Sequence, residues 1–274
     1  MKISVFGATG FIGSRFCELY PAVPIPRGEF TYFGDNALYL ISTTHNYDTW
    51  RVNVDTNISV LYDHLACSGN ATFNFVSSWF VYGESNWDSV DIYPISESWP
   101  PNPKGGNYNL TKRWAEQMVI DYCYESEIPY RIFRLANVFG KGDKFSEKKN
   151  ALQYLINEME NDRDIYLYND GYFYRDYIHV DDVCEMLYKG MEILPVNEIY
   201  NVGSGRPILF RDMILLAHSI LGSKSKIGSM EPTEFHKRIQ VKDFWMDTSK
   251  INEHGIVCKS SPYERLYRMV KDEN

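Results

Sequence analysis

The 274-residue chain is poor in several features that would mark particular protein classes. Its five cysteines, Cys17, Cys67, Cys123, Cys184 and Cys258, lie far apart, and none stands in a CxxC pair. That spacing points to neither a disulfide framework nor a zinc site, so no metal is expected and a reduced setting is. No apolar run reaches membrane-spanning length. The chain passes from Met1 straight into a strand-like stretch, so no secretory leader and a cytoplasmic location are expected. Positive charge is scarce, with 28 Lys and Arg against 36 Asp and Glu for a net charge of -8. This balance argues against a nucleic-acid coat or a membrane-surface protein. It leaves room for a small anionic ligand, which a nest of backbone N–H groups can bind on an acidic protein. Repeats and low-complexity segments are lacking too.

What is present begins at the first residues, MKISVFGATGFIG. Lys2 to Phe6 is apolar enough for one buried strand. Gly7-Ala8-Thr9-Gly10-Phe11-Ile12-Gly13 follows, and Ser14 to Tyr20 is helix-like. Strand, glycine turn and helix together present bare N–H groups and a positive helix end to a phosphate. Gly7 permits the tight turn, Gly10 lets a pyrophosphate approach, and Gly13 lets the helix pack on the strand.

The length suits one large domain or two small ones with an ample core. Apolar runs at Ala22–Pro26, Ala37–Ser42, Phe73–Val76, Tyr130–Leu135, Asp164–Tyr168, Tyr177–Val180 and Glu198–Val202 read as strands. Val54 to Cys67 has helical spacing, with Asn53 as its expected cap. Further helices are expected over Tyr108–Glu125, Ala151–Met159, Asp181–Ile193, Arg211–Leu221 and Pro262–Val270, with Asp181 and Asp182 capping the third. The short segment between Arg27 and Ala37 implies that one strand–helix unit has been trimmed. Alternating strands and helices call for a mostly parallel sheet covered on both faces.

Tyr108 and Lys112 stand four apart at a helix start, which puts both on one face. An ammonium beside a phenol favours the phenolate, so the spacing predicts a lowered Tyr108 pKa and a group able to exchange a proton. Ser78 closes a central strand, where ligands of open α/β sheets bind. Its hydroxyl can donate to a carbonyl, while Ser77 reads as a backbone cap.

Taken together, GATGFIG (Gly7–Gly13), SSWFVYG (Ser77–Gly83), YNLTK (Tyr108–Lys112), RLANVFG (Arg134–Gly140), RDYIHVDD (Arg175–Asp182) and YNVGSG (Tyr200–Gly205) resemble the extended short-chain dehydrogenase/reductase family over nearly the full length. These are nucleotide-sugar epimerases, dehydratases and reductases. The resemblance implies a doubly wound, mostly parallel Rossmann sheet with a smaller C-terminal substrate-binding lobe. The dinucleotide-binding domain would be residues 1–140, with 176–202 returning to it, and the lobe 141–175 and 203–274. It implies Ser78, Tyr108 and Lys112 as catalytic residues. It implies Gly7, Thr9, Gly10, Phe11, Ile12, Gly13, Arg27, Ser42, Tyr108 and Lys112 around an NAD(P) cofactor. Ser78, Asn137 and Arg175 would meet a nucleotide-diphosphate sugar, a role that suits the Arg175 fork. A homodimer built from the helices at Val54–Cys67 and Tyr108–Glu125 is implied as well.

Departures from the family pattern narrow the reaction. The 4,6-dehydratases carry an Asp-Glu pair where this chain has Trp79 and Phe80, which cannot shuttle protons. GDP-fucose synthase has a Cys at the place of Trp79. A 4-epimerase or 4-ketoreductase, moving hydride at the hexose C4, needs neither. Arg27, at the end of the second strand, inclines the reading toward NADP(H) and the reductase. Lys141, Lys144, Lys148 and Lys149 could meet phosphates or form a solvated face. The competing reading is a catalytically silent NAD(P)-binding sensor or scaffold of the same fold, which has no need of Tyr108 and Lys112 at helical spacing.

Overall fold

Four residues, Ile3–Phe6, make the first strand (β1), and all four are buried. The computed structural model describes residues 1–29, 34–43, 50–57, 59–60, 71–83, 94–103, 106–142, 151–234, 236 and 243–272. Five more strands join β1: β2 (Val23–Ile25), β3 (Asn36–Tyr39), β4 (Thr72–Ser78), β5 (Tyr130–Leu135) and, far along the chain, β10 (Glu198–Val202). Their order in the sheet is β10-β5-β4-β3-β1-β2, and every pair is parallel. Strands covered on both faces are buried along their length rather than on alternate residues, and β1, β3 and β5 are, with Arg131 and Arg134 of β5 buried on hydrogen-bond partners. β2 is the edge beside β1, and β3 takes the other side of β1, so only residues 26–35 link the two strands.

Between β5 and β10 lie β6 (Asn137–Phe139), β7 (Ile165–Tyr168), β8 (Tyr174–Arg175) and β9 (Tyr177–His179). Two more strands, β11 (Ile208–Leu209) and β12 (Ile227–Met230), follow β10. They form three two-stranded pieces: β6 with β9, β7 with β12, and β8 with β11. β6, β8, β11 and β12 are too short, or too rich in Gly and Ser, to show a strand period, and the sequence does not announce them.

Among the described residues the buried apolar side chains form three clusters, one of which gathers Phe6, Tyr39, Phe73, Phe75 and Ile132 of the sheet with Ala115 and Val119 of the helix Asn107–Glu125; two more accompany it. One packs the sheet against helices Phe11–Leu19 and Val180–Ile193 around Phe16, Leu38, Phe133 and Leu187. The other gathers Leu152, Ile156, Met213, Ile214 and Leu266 from helices Ala151–Glu160, Phe210–Leu221 and Pro262–Lys271. Each such side chain contributes about 1.5–3 kcal/mol on burial. The C-terminal helix is tied to helices Phe11–Leu19 and Val180–Ile193 by charge. Arg265 donates to both Asp182 oxygens (Nε at 3.0 Å), and Arg15 donates to both Asp181 oxygens at 2.6 and 3.2 Å. Asp181 and Asp182 are thus ion-pair partners. The cap of their helix is His179, whose Nδ1 accepts the Asp181 N–H.

The helix expected over Val54–Cys67 begins earlier, as a π-turn at Arg51–Asp55, and is described only to Val60. Asn53 is inside that turn and is not its cap. Residues 61–70, with Cys67, lie outside the described residues, as do Lys144, Lys148 and Lys149. Lys141 pairs with Asp272. Among the described residues, no helix is long and apolar enough to cross a membrane.

Candidate active site

Parallel pairing sets the C-terminal ends of β1, β4 and β5 on one edge of the sheet, where Phe6 runs into Gly7, and Ser78 stands beside Leu135. Ligands of open α/β sheets bind at this edge. Gly7 turns the chain with φ +90°, a region that disfavours side chains, and the Gly10 N–H closes the turn on the Gly7 carbonyl at 2.9 Å. The helix starts at Phe11, three residues before the sequence reading places it. Phe11, Ile12 and Gly13 are therefore its first turn, and no side chain caps it. Their N–H groups are the unsatisfied donors that bind phosphate at a helix start. A Cβ on Gly13 would lie 2.2 Å from the Gly7 oxygen, so the helix can sit this close to the turn only with glycine there.

Above the turn is a cavity of about 290 Å³. Gly7, Gly10, Phe11, Ile12 and Gly13 form one side, and Leu40 and Ser42 another. The ends of β4 and β5 supply Val76, Ser77, Ser78, Leu135 and Ala136, and the helix Asn107–Glu125 supplies Tyr108 and Lys112. A buried fork fixes that helix on the sheet: Arg134 of β5 donates from Nε and Nη2 to the two Glu116 oxygens, each at 2.9 Å. Removing one partner of such a pair typically costs about 3–5 kcal/mol.

Within the cavity, Tyr108 is half-buried, and Ser78 and Ser42 line the same wall beside it. Burial raises the phenol's pKa, and the two serine contacts oppose that rise. This is the reverse of the lowering read from the Tyr–Lys spacing. The reason is geometric, since the Lys112 Nζ turns away to donate to the Val76 carbonyl at 2.8 Å. Lys112 is 3% exposed and lies over the Phe75 ring. Burial pulls its pKa down to about 7, against the upward pull of Glu116.

The backbone cap here is Ser78 and not Ser77. Ser78 Oγ accepts the Phe80 N–H at 3.4 Å and so caps the turn Trp79–Tyr82, besides facing Tyr108. Ser77 Oγ is buried on the cavity wall with no hydrogen-bond partner. A buried hydroxyl left in that state calls for an explanation, and a ligand filling the cavity supplies one. The orphaned Ser77 hydroxyl, the uncapped helix start and the glycine-only approach fit a dinucleotide lying with its pyrophosphate on the turn. Ser77 has no sequence signal that separates it from its neighbour.

Other expected site residues stand apart from this cavity. Thr9 and Arg27 are exposed, Arg27 in the turn just past β2. Asn137 and Arg175 meet instead around Trp79. The Trp79 Nε1 donates to Asn137 Oδ1 at 3.2 Å, and Asn137 Nδ2 donates to the Asp176 carbonyl at 3.1 Å. The Arg175 guanidinium lies over Trp79 and Phe173, with ring centroids 5.5 and 5.3 Å away. Phe80 stacks on Trp79, Phe244 packs tilted against it at 4.4 Å, and Phe80 meets the Tyr108 ring edge-on at 5.6 Å. Asp176 beneath this group accepts from Ser204 N and Oγ and from Gly205 N, which fixes the Gly203–Gly205 turn.

The sheet order and the helices on it define a Rossmann-like fold. Comparison with known proteins gives the family. The chain belongs to the NAD dependent epimerase/dehydratase family, whose model matches residues 34–203. The glycine turn precedes the matched stretch and rests on the geometry above.

Among curated proteins, a trifunctional UDP-glucose 4,6-dehydratase/UDP-4-keto-6-deoxy-D-glucose 3,5-epimerase/UDP-4-keto-L-rhamnose-reductase of Arabidopsis thaliana is 30% identical over 206 residues. The match covers 72% of this chain and 28% of that protein. In three further curated relatives it spans 48% to 58% of their length. A UDP-glucose 4-epimerase of Thermotoga maritima, solved with UDP-glucose, superposes with a TM-score of 0.85 at 22% identity, covering 99% of this chain and 98% of that one. The structure of RMD from Pseudomonas aeruginosa, complexed with NADPH, superposes with a TM-score of 0.83 at 19% identity over the same shares.

Proposed function

We propose that the chain is an NAD(P)-dependent nucleotide-sugar oxidoreductase or epimerase that moves hydride at the hexose C4, with Tyr108 as its acid/base. The observation that carries this reading is the convergence of Ser78, Tyr108 and Lys112 on the cavity floored by the glycine turn. The cofactor, when bound, supplies the hydride chemistry. Gly7, Gly10 and the Phe11–Gly13 N–H groups hold its pyrophosphate. Ser42 lines the same cavity, and Ser77 offers its orphaned hydroxyl. Ser78 donates to the sugar carbonyl oxygen, and Tyr108 gives a proton to that oxygen or takes one from it. Lys112, one helical turn from Tyr108, lines the same cavity and would hold the nicotinamide ribose.

Water elimination is disfavoured. The positions after Ser78 hold the Trp79 indole, committed to Asn137, and the Phe80 ring, and neither can shuttle a proton. Arg27, exposed past β2, favours a 2′-phosphate and inclines the reading to NADP(H) and a 4-ketoreductase over the 4-epimerase. Asn137 and Arg175 would meet the nucleotide diphosphate once their contacts to Trp79 yield. The lobe of residues 141–175 and 203–274 would close over it, against the domain of 1–140 and 176–202. A homodimer through the outer face of the Tyr108 helix belongs to the same reading. Trp114 on that face is 42% exposed and packs edge-on against Trp50, itself 51% exposed.

The test is incubation with UDP-glucose and NAD, or with a 4-keto nucleotide sugar and NADPH, in wild type and Tyr108→Phe. Turnover in wild type and its loss in Tyr108→Phe support the reading. Full-rate turnover in Tyr108→Phe contradicts it.

A further inference from the structure

Trp79 and Phe80 follow Ser78 directly and bring no proton-transfer group to the site. What they bring is a stack of rings that ends on Tyr108. In a strand, neighbouring side chains point to opposite faces. β4 stops at Ser78, and the tight turn Trp79–Tyr82 brings the two rings together, stacked with centroids 4.1 Å apart.

The far end of the stack is fixed. Trp79 is 4% exposed, its Nε1 donates to Asn137 Oδ1 at 3.2 Å, and the buried Phe244 ring packs against it at 4.4 Å. The Arg175 guanidinium covers it at 5.5 Å. The near end is Phe80, which is half-buried. Its N–H donates to Ser78 Oγ at 3.4 Å, and its ring meets the Tyr108 ring edge-on at 5.6 Å.

Tyr108 occupies a weak place in its helix. It is the second residue of Asn107–Glu125, and the cap position, Gly106, offers no side chain to the first turn. The Leu110 N–H closes that turn on the Gly106 carbonyl at 3.2 Å. Uncapped first turns fray. A reacting group displaced by a small distance loses much of its rate, so a proton-transfer group there needs another restraint.

We infer that Phe80 is a positioning residue: its ring, backed by Trp79, braces the Tyr108 ring at the start of its helix. The role needs a ring at each of the two positions and no polar atom from Phe80. Its consequence for turnover rests on the reading of Tyr108 above, but the brace itself does not.

The test therefore has a function-independent arm. Hydrogen exchange is followed at residues 110–112 in wild type, Phe80→Leu, Phe80→Tyr, Trp79→Leu and Trp79→Phe, in chains shown by thermal melting to be folded. Phe80→Leu should speed exchange there about three- to tenfold, the range that loss of an edge-to-face ring pair supports. Exchange in β5 should stay as in wild type in that variant. Trp79→Leu should act in the same direction and by less. Phe80→Tyr and Trp79→Phe keep their rings and should exchange at 110–112 as wild type does. The double variant Phe80→Leu/Trp79→Leu should match Phe80→Leu. Phe80 is only half-buried, so Phe80→Leu decides the matter even if Trp79→Leu does not fold.

Turnover of a 4-keto nucleotide sugar with NADPH, read alongside, separates the two claims. A fall of about tenfold in kcat at unchanged KM in Phe80→Leu, restored in Phe80→Tyr, supports the positioning role. Unchanged exchange at 110–112 in Phe80→Leu, or Phe80→Tyr behaving as Phe80→Leu, overturns the brace whatever the turnover. Faster exchange with unchanged kcat overturns the positioning role where Tyr108→Phe is inactive. Full turnover in Tyr108→Phe removes the reading of Tyr108 instead.

Discussion

The two sides of Ser78 are built on opposite principles. On the glycine side, polar groups are left open: the first-turn N–H groups are uncapped, and Ser77 Oγ has no partner. On the aromatic side, the polar groups already serve one another. Asn137 is bonded through both amide atoms, and Arg175 lies on two rings. An open site of backbone donors is preorganised for one ligand group, which on the proposed reading is the cofactor's pyrophosphate. A self-satisfied aromatic cluster must exchange contacts when a ligand arrives, so it discriminates between ligands rather than simply holding one.

The contrast can be broken most sharply at the two residues that face the cavity from the glycine and helix sides. Tyr108→Phe should lower turnover by about 10²–10⁴-fold while leaving NADH affinity nearly unchanged, checked by steady-state kinetics and fluorescence titration. Gly13→Ala should act on the other quantity. Its Cβ would meet the Gly7 oxygen at 2.2 Å, and the backbone must shift. NADH affinity should fall at least about tenfold and stability by about 1–3 kcal/mol, read by titration and by urea unfolding. Retained affinity in Gly13→Ala would show that the turn does not hold the cofactor.

Lys112→Met sharpens the comparison through pH. Burial lowers the Lys112 pKa from the ordinary 10.5 to about 7, so the unfolded chain binds more protons than the folded one between these values. Wild-type stability therefore rises with pH across that window, and the cost of the buried lysine is full below about pH 7. Lys112→Met should be more stable than wild type at pH 7 by about 2–4 kcal/mol, and the gain should shrink toward pH 10. Urea unfolding at several pH values checks this, and a gain that grows with pH contradicts the sign.

The smallest effects belong to the aromatic side and the sheet edge. Trp79→Phe keeps a ring but frees Asn137 Oδ1, and should change KM for the nucleotide sugar a few-fold, with about 1 kcal/mol lost in stability and NADH affinity intact. Arg27→Ala should weaken NADP(H) more than NAD(H) in paired titrations. Equal loss for both removes the 2′-phosphate reading.

The sequence made the glycine side legible because its requirements are steric and local. Gly7 must take a positive φ and Gly13 must lack a Cβ, and both constraints act within seven residues. The alternating elements led to the parallel sheet in the same way, and β5 and β10 have the bounds their apolar runs suggest. What escaped the sequence are contacts between distant positions. Asn53 and Thr111 are 58 residues apart, as are Trp79 and Asn137, and no period or spacing announces either pair. The direction of the Tyr108 shift escaped for a related reason. Helical spacing put Lys112 on the right face, but only the fold shows its ammonium spent on the Val76 carbonyl of β4.

The central claim, hydride movement at the hexose C4 beside Tyr108, is tested most directly with a 4-keto nucleotide sugar and NADPH carrying two deuteriums at the nicotinamide C4. The account predicts deuterium at C4 of the product hexose in wild type and no labelled product in Tyr108→Phe. A reduced sugar without deuterium at C4 would contradict it.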